Sequence, residues 1–165
     1  MTVRKCLRWP DARLRTSAAE VPEITDEIRA IWDDMIDTMD AMPGVGLAAP
    51  QIGVMLQLAV VDASDARNRR IRIANPTVLE ASAIMNDHEE ASPNLPGLHA
   101  TVSRPRGVTV QFLGENGETV QRDFVALEAT SIQHQIDHLQ GRMYFDRLSK
   151  VKRDMLLRKA LKGKS

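Results

Sequence analysis

The chain has 165 residues, 43% of them hydrophobic and 27% charged, and Lys+Arg and Asp+Glu both number 22. That balance excludes a disordered chain, and a formal charge of zero excludes a globally acidic or basic surface that draws partners by long-range attraction. The length suits one domain, 1–165, with its own core; the single cysteine, Cys6, rules out an internal disulfide, and no run approaches the ~20 apolar residues of a membrane helix.

The first residues lack the apolar core and small-residue cleavage site of a secretory signal, so a cytoplasmic location is expected. Met1 to Pro22 shows little periodicity and reads as an irregular arm. Thr25 then offers a capping hydroxyl, with Asp26 and Glu27 against the positive end of a helix dipole. Ile28, Ile31, Trp32, Met35 and Met39 follow at helical spacing, and Pro43-Gly44 ends the helix. Leu56 to Asp62 is short, apolar and β-branched, hence a strand. Arg70 to Ala74 alternates with period two and is expected to stop at Asn75-Pro76. Gly107 to Leu113 and Thr119 to Val125 alternate too, joined by a turn at 114–117 whose glycines admit positive φ. Ala126 to Leu139 reads as a second helix. Ser149 caps a third, whose Val151, Met155, Leu156 and Leu161 are expected to face inward. Helices with several mostly antiparallel strands make an α+β domain.

Three segments carry chemistry. Gly44 to Gly53 (Gly-Val-Gly-Leu-Ala-Ala-Pro-Gln-Ile-Gly) has glycines that permit a tight turn or a close ligand, and Gln51 brings an amide that both donates and accepts. Taken alone it is a helix-to-strand connection. Gln133 to Leu139 places His134 and His138 at i and i+4, on one helical face, the spacing by which a helix presents two nitrogens to a metal. The metal-hydrolase form of this pattern puts Glu directly after the first His; here the residue is Gln135. Glu89 to Gly97 (Glu-Glu-Ala-Ser-Pro-Asn-Leu-Pro-Gly) reads as a polar loop of rigid, extended backbone, because two prolines fall within four residues.

In this order and at these separations, the three segments resemble those of peptide deformylases. The resemblance extends to Trp9-Pro-Asp-Ala-Arg-Leu-Arg15, the first helix, Asn75-Pro76, Val102-Ser-Arg104 and the C-terminal helix. It implies a deformylase-like fold, with antiparallel sheets around a central helix bearing the histidine pair. Deformylases remove the formyl group from the N-terminal formyl-methionine of new proteins, with Fe2+ or Zn2+ held by one cysteine and two histidines. By resemblance the metal histidines are His134 and His138, and the oxyanion glutamine is Gln51. The cysteine falls on Ser92, the catalytic glutamate on Gln135, and the oxyanion N–H on Pro93.

Each of those three exchanges removes a function. A serine hydroxyl is far less acidic than a thiol of pKa ~8.5 and is a poor ligand, whereas catalytic zinc normally has three protein ligands. An amide cannot take a proton at neutral pH, and general acid–base catalysis contributes ~10²–10⁴-fold. Proline has no N–H, and one oxyanion donor is worth ~10²–10³ in rate. The resemblance places Gly46, Leu47 and Arg104 along a bound N-formyl-methionyl peptide. It forms the side-chain pocket partly from Val45, His88, Leu127, Thr130, Ser131 and the His134 ring. His88 and Glu90 are alternative metal ligands, and Asp137 is expected to orient a histidine. Arg147, Lys150, Lys152, Arg153, Arg158, Lys159, Lys162 and Lys164 stand against one acid, Asp154, so the last helix suits ribosome docking or a solvated face; sequence-specific nucleic-acid binding and membrane insertion are not expected. The preferred reading is a deformylase-like protein without efficient activity. A working hydrolase with an atypical site, and a non-catalytic peptide- or ribosome-binding module, are the alternatives.

Overall fold

The structure is a computed structural model that describes residues 2–162. Met1 and Lys164 therefore lie outside the described residues. Helix α1 (Asp26–Ala41) starts as its sequence dictates, with Thr25 accepting from the Ile28 N–H and two acids in its first turn. Strands β1 (Gly46–Ala48), β2 (Leu58–Val61), β3 (Ile71–Ala81), β6 (Gly107–Leu113) and β7 (Thr119–Val125) make a five-stranded sheet in the order β1-β2-β3-β6-β7. Every pairing in it is antiparallel. Strands β4 (Met85–Ala91) and β5 (His99–Pro105) form a separate antiparallel pair. Helix α2 (Ala126–Leu139) packs against both sheets and is buried continuously from Ala129 to Leu139. Helix α3 (Lys150–Lys162) follows a 3-10 turn at Tyr144–Arg147.

The core has two main halves around the large sheet. Trp32, Met35 and Met39 of α1 pack on Leu47, Leu58 and Val60. On the other face, Ile132 and Ile136 of α2 meet Ile73, Val110 and Phe124. A third cluster, including Leu14, Leu95, Val102, Tyr144 and Phe145, ties the arm and the C-terminal segment to β5.

Four expectations change. The arm is not wholly irregular, since Ala12–Arg15 forms a 3-10 turn capped by Asp11. β3 does not stop at Asn75-Pro76 but runs to Ala81. A register shift between Ala74 and Thr77 absorbs the proline, which has no N–H for the ladder. Asn75 adopts φ 50 there, and its carboxamide accepts from Val21 N and donates to Val21 O, both at 2.8 Å. The 89–97 segment is extended only in its first three residues. Glu89 to Ala91 complete β4, and Ser92-Pro93-Asn94-Leu95 is a β-turn closed by Leu95 N–H on Ser92 O at 3.0 Å, with proline in its favoured second position. In α3 only Leu156 is buried; Val151, Met155 and Leu161 are exposed. The helix seats itself through Leu156, Leu157 and Ala160 instead, a narrower stripe fitting beside Trp9 and Leu95.

Candidate active site

A cleft of about 470 Å³ opens between the end of α1 with β1, the 89–97 segment and α2. Val45, Gly46, Gln51, Ser92, Pro93, Leu127, Thr130, Ser131, His134 and Gln135 all line it. Three segments distant in sequence thus meet at one concavity. A Cβ at Gly46 would lie 2.5 Å from both Gln135 Nε2 and Ser131 Oγ, so those side chains would have to shift to admit one.

Helix α2 points both imidazoles the same way, with His134 Nε2 and His138 Nε2 3.1 Å apart. His134 Nδ1 donates to Glu90 Oε1 at 2.8 Å, and the two Nε2 atoms share one hydrogen between them. His138 lies deeper, and burial, with His134 and Arg104 nearby, holds its pKa well below that of free imidazole. Its Nδ1 is buried without a hydrogen-bond partner, as is Gln135 Oε1. Tyr144 stacks on His134 with ring centroids 6.0 Å apart; burial first, and the Glu90 charge second, push its hydroxyl up to about 12.

Gln51 is anchored from three sides. Ala48 N–H donates to its Oε1 at 2.9 Å, and its Nε2 donates to Ser92 Oγ at 3.2 Å and Asn94 Oδ1 at 2.8 Å. Ser92 Oγ in turn donates to Asn94 Oδ1 at 3.0 Å.

Beneath the histidines lies a buried charge network. Arg104 makes two hydrogen bonds to Glu90, at 2.7 and 2.9 Å, and one to Asp137 at 2.9 Å. Arg147 adds two more to Asp137, at 2.7 and 3.0 Å. Burial alone would raise Glu90; hydrogen bonds from His134 and Arg104 outweigh it and hold the carboxyl below its ordinary value. Asp137 is lowered likewise, its burial outweighed by the hydrogen bond from Arg147 and the charge of Arg104.

Several sequence-predicted roles move. Arg104 does not line the cleft: it is 1% exposed, because β5 turns it inward onto two carboxylates. Leu47 points into the core against α1 and does not line the cleft. Asp137 binds Arg104 and Arg147 rather than a histidine, since successive helical residues diverge by about 100°. Glu90 is the carboxylate that orients His134. Its Oε1 is taken up by His134 Nδ1 and both its oxygens by Arg104. His88 bonds Thr130 Oγ1 at 2.9 Å, and Ser131 Oγ donates to Val45 O at 2.9 Å, so the hydroxyls of the side-chain pocket are satisfied within the protein. Asn94 was missed altogether. Its signal, an amide two residues after Ser92, was readable only as part of a turn.

The donor set fits the family's metal in part. The histidine pair converges, but the third position holds a hydroxyl engaged with Gln51 and Asn94. Among the described residues no group of three His, Cys, Asp or Glu side chains gathers in a metal-holding arrangement.

Comparison with known proteins gives a consistent picture. The family model described as polypeptide deformylase matches residues 3–154. A peptide deformylase from Teredinibacter turnerae is 39% identical over 159 residues, covering 96% of this chain and 95% of that one. The crystal structure of a peptide deformylase from Legionella pneumophila superposes with TM-score 0.91 at 39% identity, covering 99% of this chain and 96% of that one. That of the Ehrlichia chaffeensis peptide deformylase in complex with actinonin gives 0.92 at 32% identity, covering 99% and 98%. The chain belongs to the polypeptide deformylase family.

Proposed function

We propose that the protein receives N-formyl-methionyl peptide ends in this cleft but deformylates them poorly. The observation that carries this reading is the state of Ser92. The hydroxyl standing where a thiolate would complete the metal site is hydrogen-bonded to Gln51 and Asn94. Fe2+ or Zn2+ would depend on His134 and His138, and this donor set favours weak binding or none. Gln135 keeps the shape of a glutamate but cannot take a proton from water. Pro93 supplies no N–H where an acyl oxygen would collect charge. Such losses do not add simply, yet all act against turnover.

Peptide binding draws on parts that remain. Strand β1 is an edge strand, so an extended peptide can pair with its free side. Val45, Leu127 and the His134 ring offer apolar surface beside it. The basic residues of α3 are the candidate contact with the ribosome, and the cytoplasm is the matching location. Among the described residues no helix is long and apolar enough to cross a membrane.

A second reading, a working deformylase with an atypical site, is favoured by the 39% identity to a curated peptide deformylase over nearly the full length. Hydrolysis of formyl-Met-Ala-Ser under anaerobic conditions, with iron, nickel or zinc supplied in turn, separates the two. Turnover near background with every metal supports impairment; metal-stimulated turnover at rates usual for enzymes, ~1–10³ s⁻¹, supports the second reading.

A further inference from the structure

The Gln51 carboxamide turns its NH2 group toward two acceptors. A primary amide carries two N–H donors, and Ser92 Oγ at 3.2 Å and Asn94 Oδ1 at 2.8 Å, themselves 3.0 Å apart, are set against them, so that both hydrogens can be taken up in bent bonds. Asn94 cannot swing aside. Its Nδ2 donates to Leu7 O at 2.6 Å and to Gln51 O at 3.2 Å, and its backbone carbonyl accepts from Trp9 N–H at 2.9 Å. It is 1% exposed, at the turn that carries Ser92 and Pro93. The shorter N···O distance is the one to Asn94, which makes it the stronger of the two partners.

We propose that Asn94 is a positioning residue that holds the Gln51 carboxamide closed, so that Gln51 presents no donor to the carbonyl of a ligand in the cleft. This rests on the reading that the cleft receives peptide ends. It adds a fourth obstacle that the three exchanged positions do not reveal. Gln51 is chemically competent, but its hydrogens are committed to the protein. With Pro93 lacking an N–H, a formyl oxygen meets neither donor.

Two variants separate this role from simple support of the fold. Asn94→Ala removes both the hold on Gln51 and the anchor to Leu7. Asn94→Asp removes the anchor to Leu7 and keeps an oxygen for Gln51. Wild type and both variants are titrated calorimetrically with formyl-Met-Ala-Ser and with Met-Ala-Ser. In Asn94→Ala the formylated peptide gains about 2- to 10-fold in affinity, the range of one neutral hydrogen bond, while the unformylated peptide is unchanged. In Asn94→Asp neither changes in that selective way. Equal behaviour of the two variants, an equal gain for both peptides, or no gain overturns the proposal. If neither peptide binds any of the three proteins, the peptide-binding reading has failed, and the clamp is decided by hydrogen exchange of the Gln51 side-chain amide. That exchange is slow in wild type and Asn94→Asp and faster in Asn94→Ala; the same rate in all three overturns the clamp.

Discussion

Replacing Arg104 by methionine keeps the apolar stem of the side chain and removes the guanidinium group. Its guanidinium bonds Glu90 and Asp137 at 2.7–2.9 Å, with side-chain exposures of 1%, 5% and 3% for Arg104, Glu90 and Asp137. Without it Glu90 retains only the His134 ring, and Asp137 retains Arg147, whose own side chain is 41% exposed. Two buried carboxylates are then short of compensation. Removing one partner of a buried pair costs about 3–5 kcal/mol, against about 0–1 kcal/mol for a surface pair. For a chain of this length that is a fall of roughly 6–20 °C in Tm. Urea unfolding at neutral pH, followed by far-UV circular dichroism, reads the free energy directly, and a thermal melt checks it. Adding Glu90→Gln to Arg104→Met recovers part of the loss, because it removes one of the uncompensated charges. A loss below about 1 kcal/mol in the single variant, or no recovery in the double, would show that the network is solvated and that the reasoning fails.

Three further outcomes follow from the same geometry. Glu90 and Asp137 have folded pKa values below their ordinary 4.5 and 3.8, so they contribute stability that is full above those values and is lost as pH falls through the lower folded ones. Unfolding free energy should therefore hold from neutrality to about pH 5 and decline below it; in Arg104→Met that acid-side loss shrinks, and an unchanged slope would contradict the assignment. Gly141→Ala should destabilise by about 1–3 kcal/mol, since the residue sits at φ 76 and a Cβ would come within 2.8 Å of the Arg15 backbone; unfolding at wild-type urea concentration would refute this. Zinc titrated into the apoprotein should bind orders of magnitude more weakly in wild type than in Ser92→Cys, and equal isotherms would mean that another group completes the site.

The parts of the fold that follow hydrophobic periodicity were legible. The α1 stripe, the β6–β7 hairpin and α2 lie where their patterns put them, because each buries an apolar face against one layer. Strands β4 and β5 were hidden because two of their inward positions are Glu90 and Arg104, charges that satisfy each other rather than an apolar core. β3 was cut short because a bulge rescues Pro76, and no local rule announces a bulge. At the site, the i, i+4 spacing of His134 and His138 located both rings on one face. Chain order alone could not say which partners those rings take. Glu90 reaches His134 across 44 residues, and Asn94 reaches Gln51 across 43. Such contacts depend on how two sheets and a helix are assembled.

The central claim is that this fold carries a cleft built for formyl-peptides whose chemistry has been withdrawn by the residues at 92, 93 and 135. It is tested most directly by assaying formyl-Met-Ala-Ser hydrolysis by wild type beside the variant Ser92→Cys, Pro93→Leu, Gln135→Glu, without air and with iron, nickel or zinc supplied. The account predicts a silent wild type and a variant at least ~10²-fold above it, the smallest effect assigned to any one of the lost base and oxyanion roles. A wild type that turns over as fast as the variant would contradict it.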